Sequence, residues 1–350
     1  MIPRTELLDL GWMSPPGNYQ AFIESLAESD PRLRRADKKW QPDGPARAVV
    51  IEFPESAKAN ARSHQPVPTI FYDAEQLNEY FIRKNNNTSK TNGNTIYILE
   101  GLNRHTIEIM GEHFNLHPSI FLDYVRSVQV PGCKKGHSSL LASTWAARDH
   151  LVMSYREVLS LDEEAASFPH LRCIQTGRDI ATTRVNGNLD CTGLLHRKAV
   201  FWTRQREVPQ GGWDCKLRTR LSRKHITYGN LHKDKGIVIC DPPVQAAQDS
   251  STGTKLTLLL KGGHRLDGYM DFVPTSAQVS ARRGPPRTCL ADDLAFYVTT
   301  HSKLVDGIYS PDAVALFVKK IIASHYSQVF DYIRGHVHMR VCRSYVWNTR

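Results

Sequence analysis

The chain has 350 residues, 41% of them hydrophobic and 23% charged, an ordinary globular mix with a formal net charge of +10. That is enough apolar material to bury a large core, so one big domain or two smaller ones is expected. A membrane-crossing helix needs about 18 consecutive apolar residues, and the densest runs, Leu256 to Leu260 and Ile237 to Cys240, are far shorter.

The start, MIPRTELLDLGW, carries Arg4, Glu6 and Asp9 where a signal peptide needs an unbroken apolar stretch, so a cytoplasmic location is expected. Residues 1–45 contain one helical stretch around Tyr19 to Glu28 and a charged, proline-bearing linker. Strands are predicted at Arg47 to Phe53 and Pro68 to Tyr72. Helical spacing of Leu77, Tyr80 and Phe81 follows between Ala74 and Lys84. The polar run at 85–94 reads as a surface loop, and Thr95 to Leu99 as a β-branched, aromatic strand. Asn103 caps the next predicted helix, whose stripe is Ile107, Met110 and Phe114, and Pro118 opens a second one through Val125.

After a loop at 127–140, a helix is expected over 149–159. The middle of the chain is strand-rich. His170 to Thr176 and Ile180 to Val185 form a hairpin around Gly177, and further strands are expected at Leu195 to Arg206, Trp213 to Arg220, Gly236 to Cys240 and Lys255 to Leu260. Residues 261–288 read as a long loop. A helix from Asp292 to Thr300 follows. The last helix begins at Pro311 with Ser310 as its cap, and carries Val314, Phe317, Ile321, Tyr326, Val329, Ile333 and Val337 as one stripe. Early alternation of strands and helices, then clustered strands closed by helices, predicts a mixed sheet sandwiched by helices, an αβα fold of the α/β (α+β) class. The expected division is a helical and linker segment at 1–45, an α/β domain at 46–305, and a terminal helix at 306–350.

The chemical motifs are sparse. His113 and His117 stand four apart, the spacing of a zinc-binding pair, but the order is Glu-His rather than His-Glu. Pro118 also pushes His117 out of the helical region, which turns the two imidazoles apart. No GxxxxGK[ST], GxGxxG after a strand, or GxSxG is present, and the seven cysteines form no CxxC pair. An enzyme is therefore not expected. Residues 197–235 hold eleven Lys and Arg, among them Arg197, Lys198, Arg204 and Lys235, a pattern that suits nucleic acid or an anionic surface, or else a solvated strand edge.

One block is more specific. TIYILEGLNRHTIEIMGEHFNLHPSIFLDYVRS (95–127) resembles the signature of the CorA family of magnesium channels: a strand, an Asn-initiated helix, a Phe-x-Leu-His-Pro link, and a short helix with an acidic residue six positions after the His. Phe114, Leu116, His117, Pro118 and Asp123 occupy those places. More weakly, residues 312–334 look like the helix that precedes the family's stalk. The middle of the chain is similar to divergent CorA-like proteins of filamentous fungi. The resemblance implies a cytosolic domain with a sensing or assembly role, a homo-oligomer, and a regulatory Mg2+ site at Asp123, where a carboxylate with hydrating waters suits that hard cation. It implies contact with a membrane only through a C-terminal region beyond Arg350. The chain departs from the family in carrying Leu122 where a second acid is frequent. The stalk helix, both membrane helices and the Gly-Met-Asn motif are not in it. The domain is thus expected to sense or scaffold, not to conduct.

Overall fold

The computed structural model describes residues 18–29, 46–53, 66–86, 94–125, 150–168, 170–184, 191–204, 235–258, 269, 289–301 and 311–347. In chain order the elements are α1 (Asn18–Ser29), β1 (Arg47–Glu52), β2 (Pro68–Phe71), α2 (Ala74–Asn86), β3 (Thr95–Glu100), α3 (Arg104–Phe114), α4 (Ser119–Val125) and β4 (His150–Leu161). They continue with α5 (Glu163–Ala166), β5 (His170–Cys173), β6 (Asp179–Arg184), β7 (Cys191–Arg204), β8 (Lys235–Cys240), β9 (Ala246–Asp249), β10 (Lys255–Thr257), α6 (Leu290–Thr300) and α7 (Pro311–Trp347).

All ten of these strands join one mixed sheet in the order β10-β9-β5-β6-β7-β8-β3-β1-β2, with β4 on β7. Only β3 and β8 run parallel; the other pairs are antiparallel. The 14 residues of β7 organise the sheet. Leu195 pairs with both Glu157 and Ile180, and Trp202 with both His150 and Ile237. One edge of β7 therefore carries β4 along its length, while the other carries β6 on its first half and β8 on its second.

Every residue of β3 (TIYILE) is buried, because helices cover both faces of the sheet there. Alternation sends Tyr97 and Leu99 to one face and Ile96 and Ile98 to the other. The first face packs against α1 to α4 through Tyr19, Leu77, Phe81, Met110, Phe114 and Phe121. The second packs against α6 and α7 through Leu294, Val298, Phe317 and Ile321. A smaller core, built on Leu159, Leu171, Ile180, Leu195 and Leu256, fills the wing of β5, β6, β9 and β10. Each fully buried Ile, Leu or Phe contributes about 1.5–3 kcal/mol relative to exposure, so these layers dominate the fold's stability.

Two local devices fix the first helical layer. Asn103 accepts from the amide of Thr106 at 2.8 Å and so caps α3. At its other end Asn115 takes the left-handed conformation (φ 50°), and the amide of Leu116 bonds the carbonyl of Gly111. Gly111 is required for packing: a Cβ there would lie 2.1 Å from the ring of Tyr19, whose hydroxyl donates to the Leu116 carbonyl at 3.0 Å. That contact clamps α1 onto α3.

The mixed sheet between helical layers agrees with the sequence expectation. Residues 150–161 do not form the expected helix. They are a strand in register with β7 from His150↔Trp202 to Leu161↔Cys191. The apolar residues of LVMSYREVLSL also fit an alternating pattern, and pairing along the whole of β7 decides between the two periods. β9 and α5 are short elements without a sequence signal strong enough to predict them. The strand expected at 213–220, most of the 261–288 loop and the Ser310 cap lie outside the described residues. The stripe on α7 also divides. Val314, Phe317 and Ile321 are buried against the sheet, whereas Tyr326 and Ile333 are 43% and 46% exposed. No helix among the described residues is long and apolar enough to cross a membrane.

Candidate functional site

The parallel strands β3 and β8 end side by side, with Glu100 opposite Cys240 and the amide of Gly101 on the Cys240 carbonyl at 2.9 Å. Carboxyl ends of adjacent parallel strands are where open α/β sheets gather their polar groups. Here each apolar strand runs into an acid, Glu100 on β3 and Asp241 just past β8. The pleat sends them to opposite faces, so two charged clusters form at the same end of the sheet.

On the α6 face, the Arg47 guanidinium pairs with Glu100 and, at 2.6 Å, with Asp292. Its Nη2 also lies 3.6 Å from the Cys289 sulfur. The thiol of Cys289 points at Glu100 (3.4 Å) and Asp292 (3.5 Å). Burial, with these two carboxylates, pushes the Cys289 pKa well above its ordinary range, so it stays a thiol at neutral pH. Burial opposes the charge of Arg47, but Glu100 and Asp292 outweigh it and hold the guanidinium protonated. Glu100, Cys289 and Asp292 bring their ligand atoms within 4.8 Å of one another, the spacing of a metal-binding group. The donor set does not fit Mg2+. A protonated thiol is a poor partner for a hard cation that seeks oxygen, and Arg47 already occupies the centre as the counter-charge.

On the α4 face, Arg178 donates from Nη2 to Asp241 Oδ1 at 2.8 Å and to the Tyr124 carbonyl at 3.0 Å. Its Nε lies 2.8 Å from Asp241 Oδ2, and the side chains of this pair are only 3% and 1% exposed. The guanidinium also sits 5.3 Å from the centre of the Tyr124 ring. Asp241 Oδ2 further accepts the amide of Lys198 at 2.8 Å, and the Lys198 ammonium reaches the carbonyl of Asp123 at 2.6 Å. The phenol of Tyr124 donates to the Cys240 carbonyl at 3.1 Å. Burial and the nearby charges of Arg178 and Arg156 lower the pKa of His196 to about 4, so it is neutral in the folded protein. Back on the α6 side, Arg197 is neutralised by Glu157 at 2.6 Å and bonds the Pro242 carbonyl at 2.5 Å.

The residues singled out by sequence are placed as follows. Phe114 and Leu116 are buried core residues, and Phe114 meets Tyr97 edge-on with ring centres 4.9 Å apart. His117 accepts the amide of Ser119 on Nδ1 at 3.2 Å and contacts its hydroxyl at 2.9 Å, so it caps α4, with Pro118 between them. His113 instead stacks on Phe81 at 3.9 Å, and burial with Lys235 and Lys84 lowers its pKa to about 4. The two imidazoles serve different junctions. Asp123 lies on α4 with its side chain turned inward, 10% exposed, its Oδ2 held by His150 Nε2 at 2.9 Å. In the basic segment, Arg197 and Lys198 are each 3% exposed and engaged as above. Lys235 lies 5.2 Å from the Phe114 ring centre. Residues 205–234 are outside the described residues.

Arg47, Cys289, Asp292, Arg178 and Asp241 were not anticipated as a group. An acid that follows an apolar run, as Glu100 follows IYIL and Asp241 follows IVIC, was the available signal for these two residues. Nothing local names their cations, which lie 53 and 63 residues away in the chain.

No protein-family model, no curated protein and no solved structure matches this chain.

Proposed function

We propose that this chain is a non-catalytic regulatory or assembly domain of CorA type, responsive to Mg2+. The observation that carries the reading is the unit from β3 to α4. A buried strand is followed by an Asn-capped helix, a left-handed Asn115, and a His117-capped short helix that carries Asp123. The resemblance of residues 95–127 to the CorA signature assigns a regulatory cation to that aspartate. The wider setting, a mixed sheet between helical layers with the long α7 closing the chain, supports the same reading. The charged clusters support a structural rather than chemical use of the strand ends, since their cations are consumed by carboxylates and backbone carbonyls.

A cation on Asp123 Oδ2 competes with His150, which holds that oxygen at 2.9 Å. Calorimetric titration of the full chain with millimolar Mg2+ is expected to show binding that Asp123→Asn abolishes and His150→Ala strengthens. Absence of binding by the unaltered chain, or equal binding by the Asp123→Asn variant, overturns the sensing role. Circular dichroism melting of both variants separates loss of the site from loss of fold.

A further inference from the structure

The 37-residue helix α7 has two unlike faces. Val314, Phe317, Val318, Ile321 and His325 are buried against the sheet and α6. On another side of the helix runs a second, largely apolar line: Leu316, Ala323 and Phe330 stand seven apart, and Lys319, Tyr326 and Ile333 follow each by three, the Tyr326 hydroxyl also donating to the Ser154 carbonyl of β4. All six are exposed, with Phe330 at 69%, Leu316 at 52%, Ile333 at 46% and Tyr326 at 43%. A sheet-packed helix needs one stripe at period 3.6. A 3–4 alternation repeating every seven residues is the spacing with which one helix meets another.

We propose that this seam pairs with the same seam of a second copy of the chain, antiparallel about a twofold axis. Size and charge choose the direction. Antiparallel pairing centred between Ser324 and His325 sets Leu316 against Ile333, Ala323 against Tyr326, and Lys319 against Phe330, each twice. Small then meets large, and the ammonium of Lys319 lies over an aromatic ring and next to Asp331 of the other copy. Parallel pairing sets Lys319 against Lys319 and leaves a gap between two alanines. The exposed parts of the four large apolar side chains come to roughly 450 Å² per copy, on the scale of about 150–250 Å² for an aromatic side chain. Both copies together with their polar flanks reach about 1,200 Å², the lower bound for a stable specific interface. A weak, concentration-dependent dimer follows. The pairing does not depend on the Mg2+ reading, and measuring it in EDTA keeps the two separable.

Sedimentation of the full chain in EDTA is expected to show a monomer–dimer equilibrium. Phe330→Glu should raise its dissociation constant at least tenfold while leaving the thermal melt unchanged, because Phe330 is outside the folded core. Ile333→Glu should act in the same direction. For orientation, Leu316→Cys chains mixed with Ile333→Cys chains and oxidised should give a 316–333 disulfide by peptide mapping. A monomer at concentrations up to about 0.1 mM, a dimer indifferent to Phe330→Glu, or a 316–316 link in place of 316–333, overturns the proposal.

Discussion

The two charged clusters at the carboxyl end of the central strands use the same components to different depths. Around Asp241 the guanidinium of Arg178 is sealed beneath α4, with both partners 3% exposed or less. Around Glu100 the Arg47 side chain is 20% exposed and Asp292 32%. The difference follows from what covers each face. On one side Tyr124, Lys198 and the strand ends close over the pair, the Tyr124 carbonyl accepting from Arg178 and the Lys198 amide donating to Asp241. On the other, the first turn of α6 supplies Asp292 from a helix end at the rim. A buried ion pair adds little net stability when intact, yet breaking it strands a charge out of water. A rim pair is partly rescued by solvent.

The sharpest way to break the comparison is Asp241→Ala, which leaves Arg178 buried without its carboxylate and frees the amide of Lys198. A loss of about 3–5 kcal/mol is expected, measured by urea unfolding, and a loss below that of Arg47→Met would reverse the ranking of the two clusters. Arg47→Met should cost less, about 1–2 kcal/mol, since Asp292 keeps access to water and Glu100 alone is left buried beside it. Raising salt should soften this second effect and not the first, because only the rim is screened.

The smallest expected effect is on pH dependence. His196 beside the deep cluster has its folded pKa lowered to about 4, against an unfolded value near 6.5. Between those values the unfolded chain binds more protons, so stability is full above the upper value and falls as pH drops through the window. His196→Gln should flatten part of that slope in melting temperature against pH. His113, lowered to about 4 by burial against Phe81 with Lys235 and Lys84 nearby, accounts for more of it. The double variant with His113→Phe should flatten it further. A slope unaffected by both substitutions would separate acid sensitivity from these buried imidazoles.

Much of this architecture was legible before any coordinates. TIYIL is β-branched and aromatic, so a strand there was readable, as were the Asn103 cap and the proline-started α4. The αβα layering followed from the order of elements. The strand at 150–161 was not legible, because its apolar residues suit a helix and a strand about equally. Only the full-length partner in β7 settles the choice. Of the candidate site, Asp123 and His117 were named in advance, but not that one would face His150 and the other Ser119.

The sequence by itself determined the class of the fold, the apolar strands at its centre and the Asn103 cap of α3. Those properties depend on residues a few positions apart, within reach of periodicity and local hydrogen bonding. Tertiary structure alone decided which charges meet. Arg47 with Glu100, Arg178 with Asp241 and His150 with Asp123 are joined by strand order and pleat direction, and no local pattern encodes either. It also divided α7 into a face that the sheet covers and a heptad seam that it leaves exposed.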